Sequence, residues 1–265
     1  MDMEFITWYN FVNSNTGGAM NILRNIPFVI WFYGFLATIQ PIKNSIKKYR
    51  EEGNAEMERT EIRRAEDAWG QALVKKAGIT LNIRLTEPLP DGPVVFVSNH
   101  QSYWDIPVYF AAVQDRQFGF VAKDSLGKVP GFGSWIADIR SVFIKRDDAR
   151  ASLRAIEEGI ELLKQGYSLV IFPEGTRSRS VEMKEFKKGS LRLATKAGVP
   201  VVPITLNGTY HGFEEKGYVR PATVDFIIHP AIETKDLPKK EAGELAERVE
   251  KIVRDGLDQL GVVIK

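Results

Sequence analysis

The sequence predicts an α/β fold with a mostly parallel or mixed central sheet flanked by helices. Two observations carry that prediction. From residue 79 onward, short apolar runs alternate with helical patterns, as when each strand is returned by a crossover helix. Several runs, such as PVVFV at 93–97 and YSLVIF at 167–172, are continuously apolar, so both faces of the sheet must be covered. The 265 residues suit one large domain with a small appendage, able to bury about 70–75% of its unfolded surface. Lys+Arg 36 against Asp+Glu 34 gives no basic excess that would attract nucleic acid. The absence of cysteine excludes disulfides, thiolate metal sites and a cysteine nucleophile. With three histidines (His100, His211 and His229), a zinc site built from imidazoles is not expected.

The first 78 residues differ from the rest. Residues 1–19 end in a Gly-Gly turn and read either as a leader or vector-derived extension or as native chain. IPFVIWFYGFLATI at 26–39 has no charge. As a helix it is roughly 21 Å long, too short to span a bilayer core of about 30 Å. No small-residue cleavage site follows; Pro41 and a basic segment, KNSIKKYR, come instead. Residues 55–77 form a second helical pattern, with Ile62, Ala65, Trp69, Leu73 and Val74 at helical spacing and Arg and Lys opposite. Trp31, Phe32, Tyr33 and Phe35 are residue types that favour a headgroup boundary. An aromatic-rich helix beside a basic one predicts an N-terminal two-helix membrane-associating motif; a hairpin packed on its own domain or on a partner subunit is the alternative. Residues 1–78 would then be extension and anchor, and 79–265 the α/β domain.

Within that domain, strands are expected at 79–85, 93–99, 118–123, 141–145, 167–172, 199–206 and 222–229. Helices are expected at 104–114, 125–137, 148–165, 187–197 and 239–260. Chemistry concentrates at strand ends, where ligands bind in α/β sheets. NHQSYWD at 99–105 places a histidine and an aspartate where a buried strand hands over to a helix. On an ideal helix, five residues separate two side chains by about 140°, so the pair meets only if His100 sits in the turn and Asp105 in the first helical turn. Pro107 fits that placement. Histidine is the usual general base near neutral pH, and a carboxylate on its other nitrogen fixes its tautomer. The competing reading is a capping box, Ser102-Tyr-Trp-Asp105, in which Asp105 only starts a helix.

FPEGTRSRS at 172–180 follows another strand. There Gly175 and Thr176 can turn backbone N–H groups toward an anion, and Arg177 and Arg179 offer forked donors suited to phosphate. KDSLGKVPGFG at 123–133 is a third basic turn at a strand end. Each alone reads equally as a solvated turn; the three converging on one sheet edge describe a base beside a phosphate clamp.

These residues carry a family resemblance. Asn99 with His100-Gln-Ser-Tyr-Trp-Asp105 resembles the NHxxxxD motif of the glycerolipid acyltransferases, and FPEGTRS at 172–178 is similar to their EGTR block. Lys123, Leu126, Pro130 and Gly133 resemble their intermediate motif, and PVVPI at 200–204 their fourth block. NHQS together with FPEGTRS resembles the lysophosphatidate (1-acylglycerol-3-phosphate) acyltransferases in particular. The four motifs, in order, cover about residues 95–208. One departure is Ile139-Arg140, where related chains often carry glycine or small apolar residues; Arg146 matches the usual basic position.

The resemblance implies transfer of a fatty acyl group from a thioester, on acyl carrier protein or coenzyme A, to the sn-2 hydroxyl of lysophosphatidate, with no bound cofactor or metal. His100 would be the base and Asp105 its orienting partner. Arg177 and Lys123 would hold the phosphate. Glu174, Gly175 and Thr176 would shape that pocket, with Glu174 bonding a glycerol hydroxyl. His211 and His229 receive no catalytic role. A lipid substrate implies a monotopic protein at the cytoplasmic face of the cell membrane. Lys43, Lys47, Lys48, Arg50, Arg59, Arg63 and Arg64 would meet anionic headgroups. Rival readings are a non-catalytic anionic-phospholipid-binding protein, a hydrolase that uses His100 on water, and an acyltransferase acting on another lysolipid or on glycerol 3-phosphate.

Overall fold

The computed structural model describes residues 19–145 and 148–262; residues 1–18, Arg146, Asp147 and 263–265 lie outside the described residues. Three helices come first: α1 (Ala19–Thr38), α2 (Gln40–Glu51) and α3 (Ala55–Ala77). α1 is longer than its charge-free stretch because the helix continues through Arg24. Its 20 residues rise about 30 Å. By length and composition it can cross a membrane, which corrects the expectation of a segment too short to do so. The basic segment is a helix of its own, since Pro41 sits in the first turn, where a missing N–H costs nothing. The N-terminal motif therefore has three helices rather than two.

α1 lies along the domain. Leu36 is buried, and Phe28, Trp31, Phe32 and Phe35 pack against the core. Phe32 and Phe35 meet Trp69 of α3 edge-on, at 5.5 and 6.3 Å between centroids. The opposite face of α1 exposes Met20, Leu23, Ile26, Ile30 and Tyr33.

Several cations expected at a lipid surface are engaged internally. Lys43 is buried, 2.5 Å from Ser134 Oγ and 3.4 Å from Asp138. Arg50 bonds Glu58 and Asp138, and Arg63 bonds Glu66, Asp67 and the Gln114 carbonyl. Arg140, the departure noted in the sequence, adopts φ 63° and grips the buried Glu58 with two bonds of 2.7 Å. The Tyr167 hydroxyl donates a further bond to Glu58. A carboxylate buried with this many donors ties α2 and α3 to the sheet.

The sheet comprises β1 (Ile79–Leu85), β2 (Val95–Ser98), β3 (Phe118–Lys123), β4 (Val142–Ile144), β5 (Ser168–Ile171), β6 (Val201–Asn207) and β7 (Ala222–Ile228), in the order β1-β7-β6-β2-β5-β3-β4. Every adjacent pair is parallel except β6 and β7. The remaining helices are α4 (Asp105–Ala112), α5 (Phe132–Asp138), α6 (Ala149–Lys164), α7 (Arg192–Ala197) and α8 (Lys239–Gln259). Two of them differ from expectation at glycines. The stretch 125–137 divides into a 3₁₀ turn at Asp124–Lys128 and α5, with Gly131 at φ 70° between them. The helix expected at 187–197 begins only at Arg192, after Gly189 at φ 78°.

Side chains along each central strand alternate between two cores. Phe96, Val170 and Val202 point to the face carrying α1, α3 and α4. Val95, Val97, Leu169, Ile171 and Val201 point to the face closed by α8. This two-sided burial is why those strands read as continuous apolar runs. Because β2, β3 and β5 are parallel, the three predicted basic turns open onto one sheet edge.

α3 and α4 touch backbone to backbone at Gly70, where an added Cβ would come within 2.5 Å of the Ala111 nitrogen. Gly70→Ala is expected to lower stability by about 1–3 kcal/mol in urea unfolding. An unchanged midpoint would show that α4 can shift freely.

Candidate active site

The turn after β2 is built around Asp105, whose side chain is fully buried at the start of α4. One of its oxygens, Oδ2, accepts from His100 Nδ1 at 2.7 Å, from Gln101 N at 2.8 Å and from Ser102 N at 3.1 Å. Its Oδ1 accepts from Thr209 Oγ1 at 2.5 Å. The bond from Ser102 N is the carboxylate half of the expected capping box, but Ser102 Oγ takes Trp104 N at 2.9 Å rather than Asp105 N, and the helix N-cap, Trp104, has no side-chain cap bond. Asp105 thus folds the turn before the helix and holds the imidazole. With Nδ1–H donated to Asp105, Nε2 carries the free lone pair. Phe172 stacks on the imidazole at 4.1 Å and 16°, fixing its plane. Asn99 acts as a peptide mimic, bonding both N–H and C=O of Leu206 and joining the turn to β6.

The turn after β5 runs beside it. Ser178 N and Arg179 N donate to the carbonyls of His100 and Gln101, so the two turns are bonded backbone to backbone. Glu174, 4% exposed, accepts from His100 N at 2.6 Å and from Lys184 N at 3.0 Å. Both of its oxygens therefore serve backbone N–H groups and clamp the two turns together. Gly175 has φ 72°, and a Cβ there would meet Lys187 Nζ at 2.6 Å. Thr176 is exposed in the same turn. Lys123 is exposed at the end of β3, two strand spacings (about 10 Å) from β2, with β5 between.

Arg177 stands over the Tyr103 ring, its guanidinium carbon 3.3 Å from the centroid, and its Nη1 donates to Glu214 Oε1 at 2.7 Å. Glu214 and Thr209 are the contributions that sequence reasoning missed. They lie in NGTYHGFEE at 207–215, beyond the motifs, and reach the site only through long-range contact. The 3₁₀ turn Thr209–Gly212 carries Thr209 to Asp105, and the chain that follows bonds α1 through Asn21 to Lys216 O and Asn25 to Gly217 O. His211 faces Glu215 at the surface, and His229 bonds Thr205 at 2.8 Å in the core.

Next to Tyr103 and Trp104 opens an apolar cavity of about 170 Å³, walled by Phe28 and Phe32 of α1, Trp69 of α3 and Phe213. The site thus brings together an imidazole from the turn after β2, a guanidinium from the turn after β5 and an apolar recess walled by α1, α3 and Phe213. No cluster of His, Asp and Glu suited to a metal ion occurs among the described residues.

Burial pushes the Glu174 carboxyl up to about 7, against the pull of its two N–H donors. Burial likewise raises the Glu214 carboxyl, opposed by Ser102 and Arg177. A carboxyl raised from 4.5 to about 7 binds more protons in the folded than in the unfolded chain between those values, so stability falls as pH rises through that window. Unfolding measured from roughly pH 5 to pH 8 is expected to show a shallower fall in Glu174→Gln than in the parent. Parallel profiles would mean that Glu174 is ionised throughout.

Comparison with known proteins agrees with this arrangement. The acyltransferase family model matches residues 80–207. The chain is 38% identical over 181 residues to a 1-acyl-sn-glycerol-3-phosphate acyltransferase of Chlamydomonas reinhardtii, covering 68% of this chain and 53% of that protein. It is 32% identical over 189 residues to the enzyme of that name from Pseudomonas aeruginosa, covering 71% and 72%. The chain spans about half the length, or less, of several relatives, including 43% of a chloroplastic protein of Arabidopsis thaliana. The crystal structure of the 1-acyl-sn-glycerophosphate acyltransferase PlsC from Thermotoga maritima superposes with a TM-score of 0.73 at 30% identity, covering 92% of this chain and 99% of that one. With its fold shared at 30% identity and 32% identity over 72% of the Pseudomonas aeruginosa protein, the chain belongs to the acyltransferase family.

Proposed function

We propose that the protein is a 1-acyl-sn-glycerol-3-phosphate O-acyltransferase, which moves a fatty acyl group from an acyl thioester to the sn-2 hydroxyl of lysophosphatidate and forms phosphatidate for phospholipid synthesis. The observation that carries this reading is the 2.7 Å bond from His100 to the buried Asp105, beside Arg177. His100 Nε2 takes the proton of the sn-2 hydroxyl, and the oxygen attacks the thioester carbonyl. The resulting tetrahedral oxyanion collapses, the C–S bond breaks, and the thiolate leaves with the proton returned by the imidazolium. Asp105 stabilises that imidazolium through Nδ1. No acyl-enzyme forms, because the nucleophile belongs to the substrate.

Arg177 and Lys123 receive the phosphate, with Gly175 and Thr176 shaping the turn that faces it. Glu174 holds that turn against the histidine. The cavity beside Tyr103 and Trp104 accommodates acyl chain, since its walls are aromatic and aliphatic. The thioester is carried by acyl carrier protein or coenzyme A. Residues up to Gly78 act as the anchor. The exposed apolar face of α1 enters one leaflet at the cytoplasmic side, and Lys47 and Lys48, exposed on α2, meet anionic headgroups.

Acyl transfer from a labelled thioester to lysophosphatidate tests the reaction. His100→Ala is expected to lower kcat by about 10²–10⁴-fold with liposome binding intact. Fatty acid released without lysolipid would favour a hydrolase, and lipid binding without turnover a non-catalytic binder. Arg177→Ala is expected mainly to raise KM for lysophosphatidate, about tenfold or more; an unchanged KM removes Arg177 from the phosphate site. Leu23→Asp with Ile30→Asp is expected to release the protein from anionic liposomes while leaving it folded. Retained binding would contradict insertion of α1.

A further inference from the structure

Glu214 lies beyond the residues matched by the acyltransferase family and outside every motif in the sequence. Its side chain is nevertheless only 4% exposed and meets three parts of the site. Oε1 accepts from Arg177 Nη1 at 2.7 Å and from the Tyr103 backbone N–H at 2.9 Å. Oε2 accepts from Ser102 Oγ at 2.5 Å. These bonds hold the guanidinium over the Tyr103 ring and tie it to the turn that carries His100.

An arginine has many rotamers, and fixing one costs binding free energy unless another group has already fixed it. The bond to Glu214 engages Nη1 and a further bond goes to the Tyr103 side chain, which leaves others of the guanidinium's five N–H donors for a ligand. A phosphate therefore meets a donor fork whose direction is already set relative to the imidazole. A carboxylate so close to a phosphate ligand is electrostatically unfavourable to the dianion, so its presence needs a compensating geometric benefit.

We propose that Glu214 is a positioning residue that acts through Arg177, setting the guanidinium for the acceptor's phosphate and thereby the affinity for lysophosphatidate. The inference rests on the reading of Arg177 as the phosphate ligand. It separates position from charge. Glu214→Asp keeps the charge but withdraws the oxygens from Nη1, whereas Glu214→Gln removes the charge but keeps an acceptor in place.

Steady-state kinetics of the full chain with lysophosphatidate in mixed micelles and a saturating acyl thioester test this. Glu214→Ala is expected to raise KM for lysophosphatidate about tenfold, with kcat changed by less than about threefold. Glu214→Asp is expected to raise KM more than Glu214→Gln does, and the two conservative variants carry the test if the alanine variant fails to fold. In an Arg177→Ala background, Glu214→Ala is expected to change KM by less than about twofold, because its route of action is gone. A full further increase in that background, a loss confined to kcat, or a larger defect in Glu214→Gln than in Glu214→Asp would overturn the inference. If Arg177→Ala itself left KM unchanged, the reading of Arg177 would fail, and the Glu214 inference with it. A raised KM in Arg177→Ala with a parental KM in Glu214→Asp would overturn the Glu214 inference alone.

Discussion

The site depends on one buried carboxylate. Asp105 is fully enclosed, and a charge enclosed without partners would be costly, so its environment must supply donors. It does so from three directions: the imidazole of His100, the backbone of Gln101 and Ser102, and the hydroxyl of Thr209. Satisfying Asp105 therefore fixes the histidine turn before α4 and draws in a segment more than a hundred residues downstream. The geometry of the histidine–aspartate pair and the local folding are the same set of bonds.

A second carboxylate, Glu174, repeats this logic between the two turns. It is placed so that its oxygens take the N–H of His100 and that of Lys184, while Ser178 and Arg179 pair with the histidine turn from the other side. The loops at the ends of β2 and β5 are thereby bonded to each other beyond the strands. Further out, Asn21 and Asn25 of α1 bond the chain that carries Thr209 and Glu214. The helix with the exposed apolar face is thus linked by few steps to the charged groups of the site. The apolar cavity opens beside Tyr103 and Trp104, in the same turn that carries His100, and Phe28 and Phe32 of α1 wall it.

Much of the fold was legible because burial writes itself into sequence. The runs at 79–85, 118–123 and 222–229 appear as strands within a residue of the expected limits, since β-branched and aromatic clusters admit little else. Legibility ended where one residue served two neighbours. Lys43, Arg50 and Arg63 look like a solvated basic face in one dimension, but the folded chain turns them onto Asp138, Glu58 and Glu66. The uncharged run underestimates α1, because a helix passes a single exposed arginine, Arg24, without cost. His100 and Asp105 were legible as a pair because a turn and a helix start are local. Glu214 and Thr209 were not, because nothing in NGTYHGFEE marks a residue whose partners lie 37 to 112 positions away.

The central claim is that Asp105 holds His100 with Nδ1 protonated and Nε2 open to a hydroxyl. Nitrogen-15 NMR of the imidazoles, with His100 assigned by its loss in a His100→Ala sample, reads this directly at a pH where the ring is neutral. The account predicts a neutral His100 whose proton resides on Nδ1, and a loss of that preference in Asp105→Asn. A proton resident on Nε2 in the parent protein would contradict it.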